Sequence, residues 1–198
     1  MADKATLQGL RVAILATDGV EDAELKEPRK ALDDVGAKTT LIAPKAGKIY
    51  SMNHHDKAAQ YNVDQTLDQV RAEQFDAVLL PGGALNADTI RVHPRAQEFV
   101  REMNQSGKPI AFICHAPWLL VSAGLAKDRS MTSYHTIQDD IRNAGGKWQD
   151  EEVVQDKNWV SSRQPSDIPA FNRAMIDLFT EQNSRQKQVS SQTDRRVA

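Results

Sequence analysis

The stretch Lys108-Pro-Ile-Ala-Phe-Ile-Cys-His-Ala-Pro-Trp-Leu-Leu-Val-Ser122 decides how the rest of the chain is read. Pro109 to Ile113 is a short, nearly continuous apolar run, the pattern of a parallel strand buried on both faces. Trp118 to Val121 and Ala123 continue as a helix, with Pro117 suited to its first turn and Gly124 to its end. Cys114 therefore falls on the turn between a buried strand and the start of a helix. Open α/β sheets hold their ligands at that end of the strands. The free amides and positive dipole end of a helix start favour thiolate over thiol, so the local sequence predicts a depressed Cys114 pKa. His115 brings an imidazole to the same turn. A lone cysteine is equally compatible with a buried, inert thiol.

Working outward, Leu10 to Ala16 reads as the first strand, Glu24 to Val35 as an amphipathic helix ended by Gly36, and Thr39 to Ala43 as the second strand. This β-α-β unit calls for a right-handed crossover. Pro28 suits its helix only near the first turn. Thr66 to Glu73 reads as a short helix with Leu67 and Val70 inward, and Phe75 to Leu80 as a buried strand ending at Pro81-Gly82-Gly83. Pro94 to Ser106, Ile137 to Ala144 and Asp167 to Thr180 read as helices. Glu152 to Gln155 and Asn158 to Ser162, with Asp156-Lys157 between them, read as a β-hairpin. Strands alternating with helices predict a parallel sheet covered by helices on both faces, with a small hairpin addition.

Pro44 to Gln60 is the least regular segment, a loop or a twisted hairpin. His54, His55 and Asp56 lie in it. Adjacent histidines point different ways and no further ligand stands at a recognisable spacing, so the segment reads as a solvated loop and no metal is assigned. No organic cofactor is implied either.

At 198 residues, 40% apolar and 26% charged, the chain suits one domain with a sizeable core. That domain is expected over 1–182. Residues 183–198 are rich in Ser, Gln and Arg and too poor in apolar groups to order themselves. A net charge of −2 offers no reason for nucleic acid or an anionic membrane as partner. A single cysteine excludes an internal disulfide and fits a reducing compartment. No apolar run approaches the roughly 20 residues of a membrane span, and Met1 to Gln8 lack a signal-peptide core. A cytoplasmic protein is expected.

Phe112-Ile-Cys-His-Ala-Pro117, preceded by Leu79-Leu-Pro-Gly-Gly83, resembles the PfpI family of intracellular cysteine proteases and deglycases. Asp18-Gly-Val-Glu-Asp-Ala-Glu24, Phe75 to Gly83, Ile141-Arg-Asn-Ala-Gly145 and Asn158-Trp-Val-Ser-Ser-Arg163 extend the resemblance, in order, from about residue 10 to about residue 180. It implies a flavodoxin-like fold of the glutamine-amidotransferase-like superfamily. It also implies Cys114 as nucleophile and Glu24 as a protonated carboxyl beside the sulfur, four residues before Pro28. Asp88 would reach His115 across a subunit interface, although the chain is one residue longer between Gly83 and Arg91 than the family pattern. Glu21 matches a recurring acidic position, and Tyr134 and His135 are pocket candidates. Ala116 stands where the family usually has glycine.

Two glycines after a strand let amides approach a ligand, so the N–H groups of Gly83 and His115 are candidate oxyanion donors. The resemblance implies hydrolysis through Cys114 and a role in stress protection. One version attacks methylglyoxal or glyoxal, or their glycated adducts. Another is a peptidase with an intersubunit Cys-His-Asp triad, and a third is a redox sensor or holdase without enzymatic activity. The family assembles as homodimers, some members as hexamers, and the same is expected here.

Overall fold

The computed structural model describes the backbone of residues 7–197 and side chains through residue 185. In chain order the first half is β1 (Arg11–Leu15), β2 (Val20–Glu21), α1 (Asp22–Asp34), β3 (Lys38–Ala43), β4 (Lys48–Asn53), β5 (Asp56–Asn62) and β6 (Gln65–Thr66). The middle holds β7 (Ala77–Leu80), α2 (Ala84–Ile90), α3 (Pro94–Gln105), β8 (Ile110–Ile113) and α4 (Pro117–Ser122). The remainder is β9 (Ser130–Met131), α5 (Gln138–Asn143), β10 (Lys147–Trp148), β11 (Val153–Asp156), β12 (Trp159–Ser162) and α6 (Ile168–Val197).

Seven strands form the main sheet in the order β11-β12-β8-β7-β1-β3-β6. Every neighbouring pair is parallel except β11 with β12, which form the expected hairpin at one edge. Period-two alternation sends Val12 and Ile14 to one face and Ala13 and Leu15 to the other, and all four are buried. On the first face they meet Leu25 and Leu32 of α1 and Phe171, Met175 and Phe179 of α6. On the second, Phe99 and Met103 of α3, Leu119 and Leu120 of α4 and Ile141 of α5 close over Phe112 and Trp159. This is the doubly covered α/β sheet that the alternation of elements predicts.

The order reverses between β1 and β7: the chain leaves β1 for β3 on one side and returns to β7 and β8 on the other. At such a switch point the connections diverge and leave a crevice outside the carboxyl ends of the strands. The loops after β1, β7 and β8 meet there.

Several local expectations need correction. Thr66 to Glu73 is not a helix: Gln65–Thr66 pair with β3, and only Ala72–Gln74 make a turn of 3₁₀-helix. The segment is too short to offset helix nucleation, and Leu67 and Val70 are buried without it. Helix α1 begins before Glu24, so Pro28 lies in its interior rather than its first turn, where it lacks the N–H that would bond the Glu24 carbonyl. Of the two readings of the segment after β3, loop or twisted hairpin, the hairpin holds: β4–β5, which joins β2 in a separate three-stranded sheet. The last helix runs Ile168–Val197, beyond the Thr180 end expected for it; Ala198 and residues 1–6 lie outside the described residues. No described helix is long and apolar enough to cross a membrane.

Candidate active site

Strand β8 ends in a sharp turn that carries Cys114 at φ +62. That left-handed conformation costs a non-glycine residue about 1–2 kcal/mol, so neighbouring bonds must hold it. The Cys114 N–H donates to the Ser162 carbonyl of β12 (3.1 Å), and the Cys114 carbonyl accepts from the Tyr134 N–H (2.9 Å). The side chain is left at the bottom of the crevice, with the residue 7% exposed.

Pro81-Gly82-Gly83 passes directly over it. A Cβ on Gly82 would lie 2.5 Å from Glu24 Oε2, 2.7 Å from Cys114 Cβ and 2.8 Å from the Ile113 carbonyl, so only glycine fits. Gly83 has φ +86, and a Cβ there would strike the Gly19–Glu21 backbone. Asn86, buried on α2, clamps this turn: Nδ2 donates to the carbonyls of Pro81 (3.1 Å) and Gly82 (2.8 Å), and Oδ1 accepts from the Thr17 N–H (2.7 Å). The loops after β1 and β7 are thereby locked together.

Glu24, on the first turns of α1, is fully buried. Its Oε2 accepts the Gly82 N–H (2.9 Å), while Oε1 has no partner among the described nitrogen and oxygen groups. The carboxyl faces the Cys114 thiol. Burial above all, with the Glu21 carboxylate adding, pushes the Glu24 carboxyl up to about 8, against the pull of its bonds to Cys114 and Gly82. Glu24 is therefore mostly protonated at neutral pH. Burial and the Glu24 charge also push the Cys114 thiol well above its ordinary range, while the N–H groups of Gly83 and His115, which point at the sulfur, pull it down. The depressed thiol pKa expected from the turn alone is thus reversed: desolvation outweighs a helix start of one and a half turns.

His115 stands beside the thiol. Its Nδ1 lies 3.2 Å from Cys114 Sγ. Burial and the neighbouring His135 lower its pKa, so the ring is neutral at neutral pH. Nε2 lies 3.5 Å from Thr136 Oγ1. A proton on Nε2, donated to that hydroxyl, leaves the Nδ1 lone pair facing the thiol. The ring stacks on Tyr134 (centroids 5.0 Å apart, 29° between planes) and meets the edge of Trp118 (5.4 Å). The whole opens into a cavity of about 530 Å³.

A model of the DJ-1/PfpI family matches residues 10–178. The chain is 41% identical over 170 residues to "Deglycase TK1284" of Thermococcus kodakarensis, covering 86% of this chain and 99% of that protein. It is 38% identical over 169 residues to "Putative cysteine protease YraA" of Bacillus subtilis, covering 85% and 98%. A crystal structure of a two-domain protein with DJ-1/ThiJ/PfpI-like and ferritin-like domains, from Anabaena variabilis, superposes with a TM-score of 0.80 and 31% identity, over 85% of this chain and 47% of that one. The chain belongs to the DJ-1/PfpI family.

Within this member of the DJ-1/PfpI family, Cys114, His115, Glu24, Glu21, Gly83 and Tyr134 converge on one cavity, as the motifs suggest. Asp88 does not join them: it is exposed on α2 and makes no contact with His115 inside the chain. His135 is exposed and packs on Tyr134 (4.6 Å) instead of lining the cavity. Ala116 is buried in the core at the start of α4. Sequence reasoning misses Asn86, Thr136 and the Gln164–Ser166 turn that forms one wall; His54 and His55, exposed on their turn as expected, also line the cavity. No group of three or more His, Cys, Asp or Glu side chains among the described residues is placed to hold a metal.

Proposed function

We propose that this protein is a cysteine-dependent hydrolase that consumes methylglyoxal, glyoxal or the adducts these aldehydes form on amino groups. The observation that carries the reading is a neutral imidazole 3.2 Å from a buried thiol, with a protonated carboxyl and two backbone N–H groups on the same sulfur. His115 takes the thiol proton as Sγ bonds to the aldehyde carbon. The carbonyl electron pair moves to oxygen, which is protonated by Glu24 and faces the amides of Gly83 and His115. A proton then passes from the former aldehyde carbon to the adjacent carbonyl carbon while the new hydroxyl's proton goes to that carbonyl's oxygen, with His115 and Glu24 in reach to carry both; from an adduct the same hemithioacetal forms as Sγ displaces the amine, which leaves with the thiol proton delivered by His115. The hemithioacetal becomes a thioester without an external oxidant, and water cleaves it to a hydroxy acid and the free thiol. The Thermococcus relative bears the name of a deglycase, which supports this reading.

A second reading, a peptidase, rests on the same Cys114–His115 pair and on the name of the Bacillus relative. It needs Asp88 of a second copy to orient His115. The exposed Leu85 and Val92, which flank Asp88, favour a homodimer through that face. A single cysteine kept as a thiol suits the cytoplasm as the site of action. Turnover of methylglyoxal and of a small peptide panel, measured in parallel on the native protein and Cys114→Ala, tests the proposal. Loss of aldehyde turnover in the variant is expected. Cysteine-independent aldehyde turnover overturns it, and cysteine-dependent turnover of peptides alone selects the peptidase.

A further inference from the structure

The β4–β5 turn takes no part in the chemistry above, yet it breaks a local rule. Asn53 pairs with Asp56, so the hairpin turns on His54 and His55 alone, with φ +58 at His54. Two-residue hairpins select Gly, Asn or Asp at positive φ. The turn is also held in place. The His54 N–H donates to Glu21 Oε2 (3.2 Å), and β2 pairs with β4. The Gly19 N–H donates to the Tyr50 carbonyl (2.9 Å), and Asp18 Oδ1 accepts from the Tyr50 N–H (2.9 Å). These ties join the hairpin to the loop that leads into Glu21 and Glu24. They set His54 and His55 on the wall of the cavity that contains Cys114.

That cavity, about 530 Å³, falls in the range of about 300–1,000 Å³ that encloses a drug-sized ligand. A free three-carbon dicarbonyl bonded to Sγ fills a small part of it. We propose that the His54–His55 turn is a second subsite, which holds the amino-acid half of an aldehyde adduct while the modified carbon sits on Cys114. The inference rests on the deglycase reading. An imidazole ring offers two nitrogens for hydrogen bonding to a ligand. The amino-acid half of a modified lysine presents backbone carbonyl oxygens and an amide N–H, which match that pair. Free dicarbonyl presents nothing that extends to the turn. The cavity is accordingly shaped for modified amino-acid side chains.

The test uses an unreactive adduct, Nα-acetyl-Nε-(1-carboxyethyl)lysine methylamide, and lactate as its small-acid half. Binding of each is measured by calorimetry to the full-length protein and to His54→Gly/His55→Ser. Glycine at the positive-φ position keeps the hairpin turn. His55→Asn, which leaves the strained position alone, is the second variant. The expected result is that the adduct binds the double variant about tenfold more weakly, the loss of one to two hydrogen bonds, and His55→Asn less weakly than that. The affinity for lactate is expected to fall by a smaller factor. Equal adduct affinity in all three proteins, equal losses for adduct and lactate, or no binding of the adduct to the native protein overturns the subsite. Methylglyoxal turnover by the native protein is scored separately. Its absence overturns the deglycase reading, whereas normal turnover with adduct binding indifferent to the histidines overturns the subsite alone.

Discussion

Glu24 Oε2 and Cys114 Cβ flank Gly82 so closely that a methyl group there would lie 2.5 Å from one and 2.7 Å from the other. A carboxyl and a thiol far apart in sequence are thus held on either side of one glycine, both out of water. Burial raises the cost of charge on both, and the Glu24 carboxylate raises it further on the thiol.

The first consequence is a pH-dependent stability. Glu24 ionises at about 8 in the folded chain against an ordinary value of 4.5. Folding therefore takes up a proton between those values. The contribution is most favourable below about pH 4.5, declines as pH rises through about 8, and is level beyond it. Glu24→Gln removes the ionisable group while keeping a donor for sulfur and an acceptor for Gly82. Urea unfolding should show the variant gaining on the native protein from pH 5 to pH 9, by an amount on the order of 5 kcal/mol. Parallel pH profiles in the two proteins would contradict the buried, protonated carboxyl.

Alkylation reads the other half of the pair. Burial and Glu24 push the thiol up, so iodoacetamide should label native Cys114 slowly at neutral pH and accelerate only in the alkaline range. In Glu24→Gln the repelling charge is gone and the acceleration should move to lower pH. Mass spectrometry of the labelled chain at a series of pH values measures both. Fast labelling of the native protein at pH 6.5 would show that the amides of Gly83 and His115 outweigh burial.

Gly82→Ala tests the close approach itself. The added methyl group meets the Ile113 carbonyl and Cys114 Cβ, neither of which is a movable side-chain end. The expected cost is on the order of 2–4 kcal/mol, read from chemical denaturation, together with loss of aldehyde turnover. Stability and turnover like those of the native protein would mean the turn has slack that its geometry does not suggest.

Assembly is testable on the α2 face. Leu85 is 56% exposed and Val92 70% exposed, and Asp88 lies between them. Sedimentation velocity at micromolar concentration should find at least a homodimer, and Leu85→Asp should weaken it. A native monomer would remove both the shared triad and the reason for the exposed pair. A dimer indifferent to Leu85→Asp would place the interface elsewhere.

Much of this molecule is legible along the chain. The apolar runs before Pro81 and Cys114, the helix after Pro117, the hairpin around Asp156-Lys157 and the strand–helix alternation depend on spacing and turn chemistry among near neighbours. Those are properties a few consecutive residues carry by themselves. The motifs likewise place Cys114, His115, Glu24 and Gly83 at one site from sequence alone. Other features were decided by tertiary structure. The thiol's direction of shift depends on how much water the crevice excludes and on a carboxyl delivered from α1 by the sheet's switch point. Asp88 faces solvent because α2 turns it outward, and His54 and His55 reach the cavity because β4 pairs with β2. Local sequence sets backbone conformation through short-range sterics and hydrogen bonding. Desolvation and the meeting of distant side chains arise only when the topology brings the carboxyl ends of β1, β7 and β8 side by side.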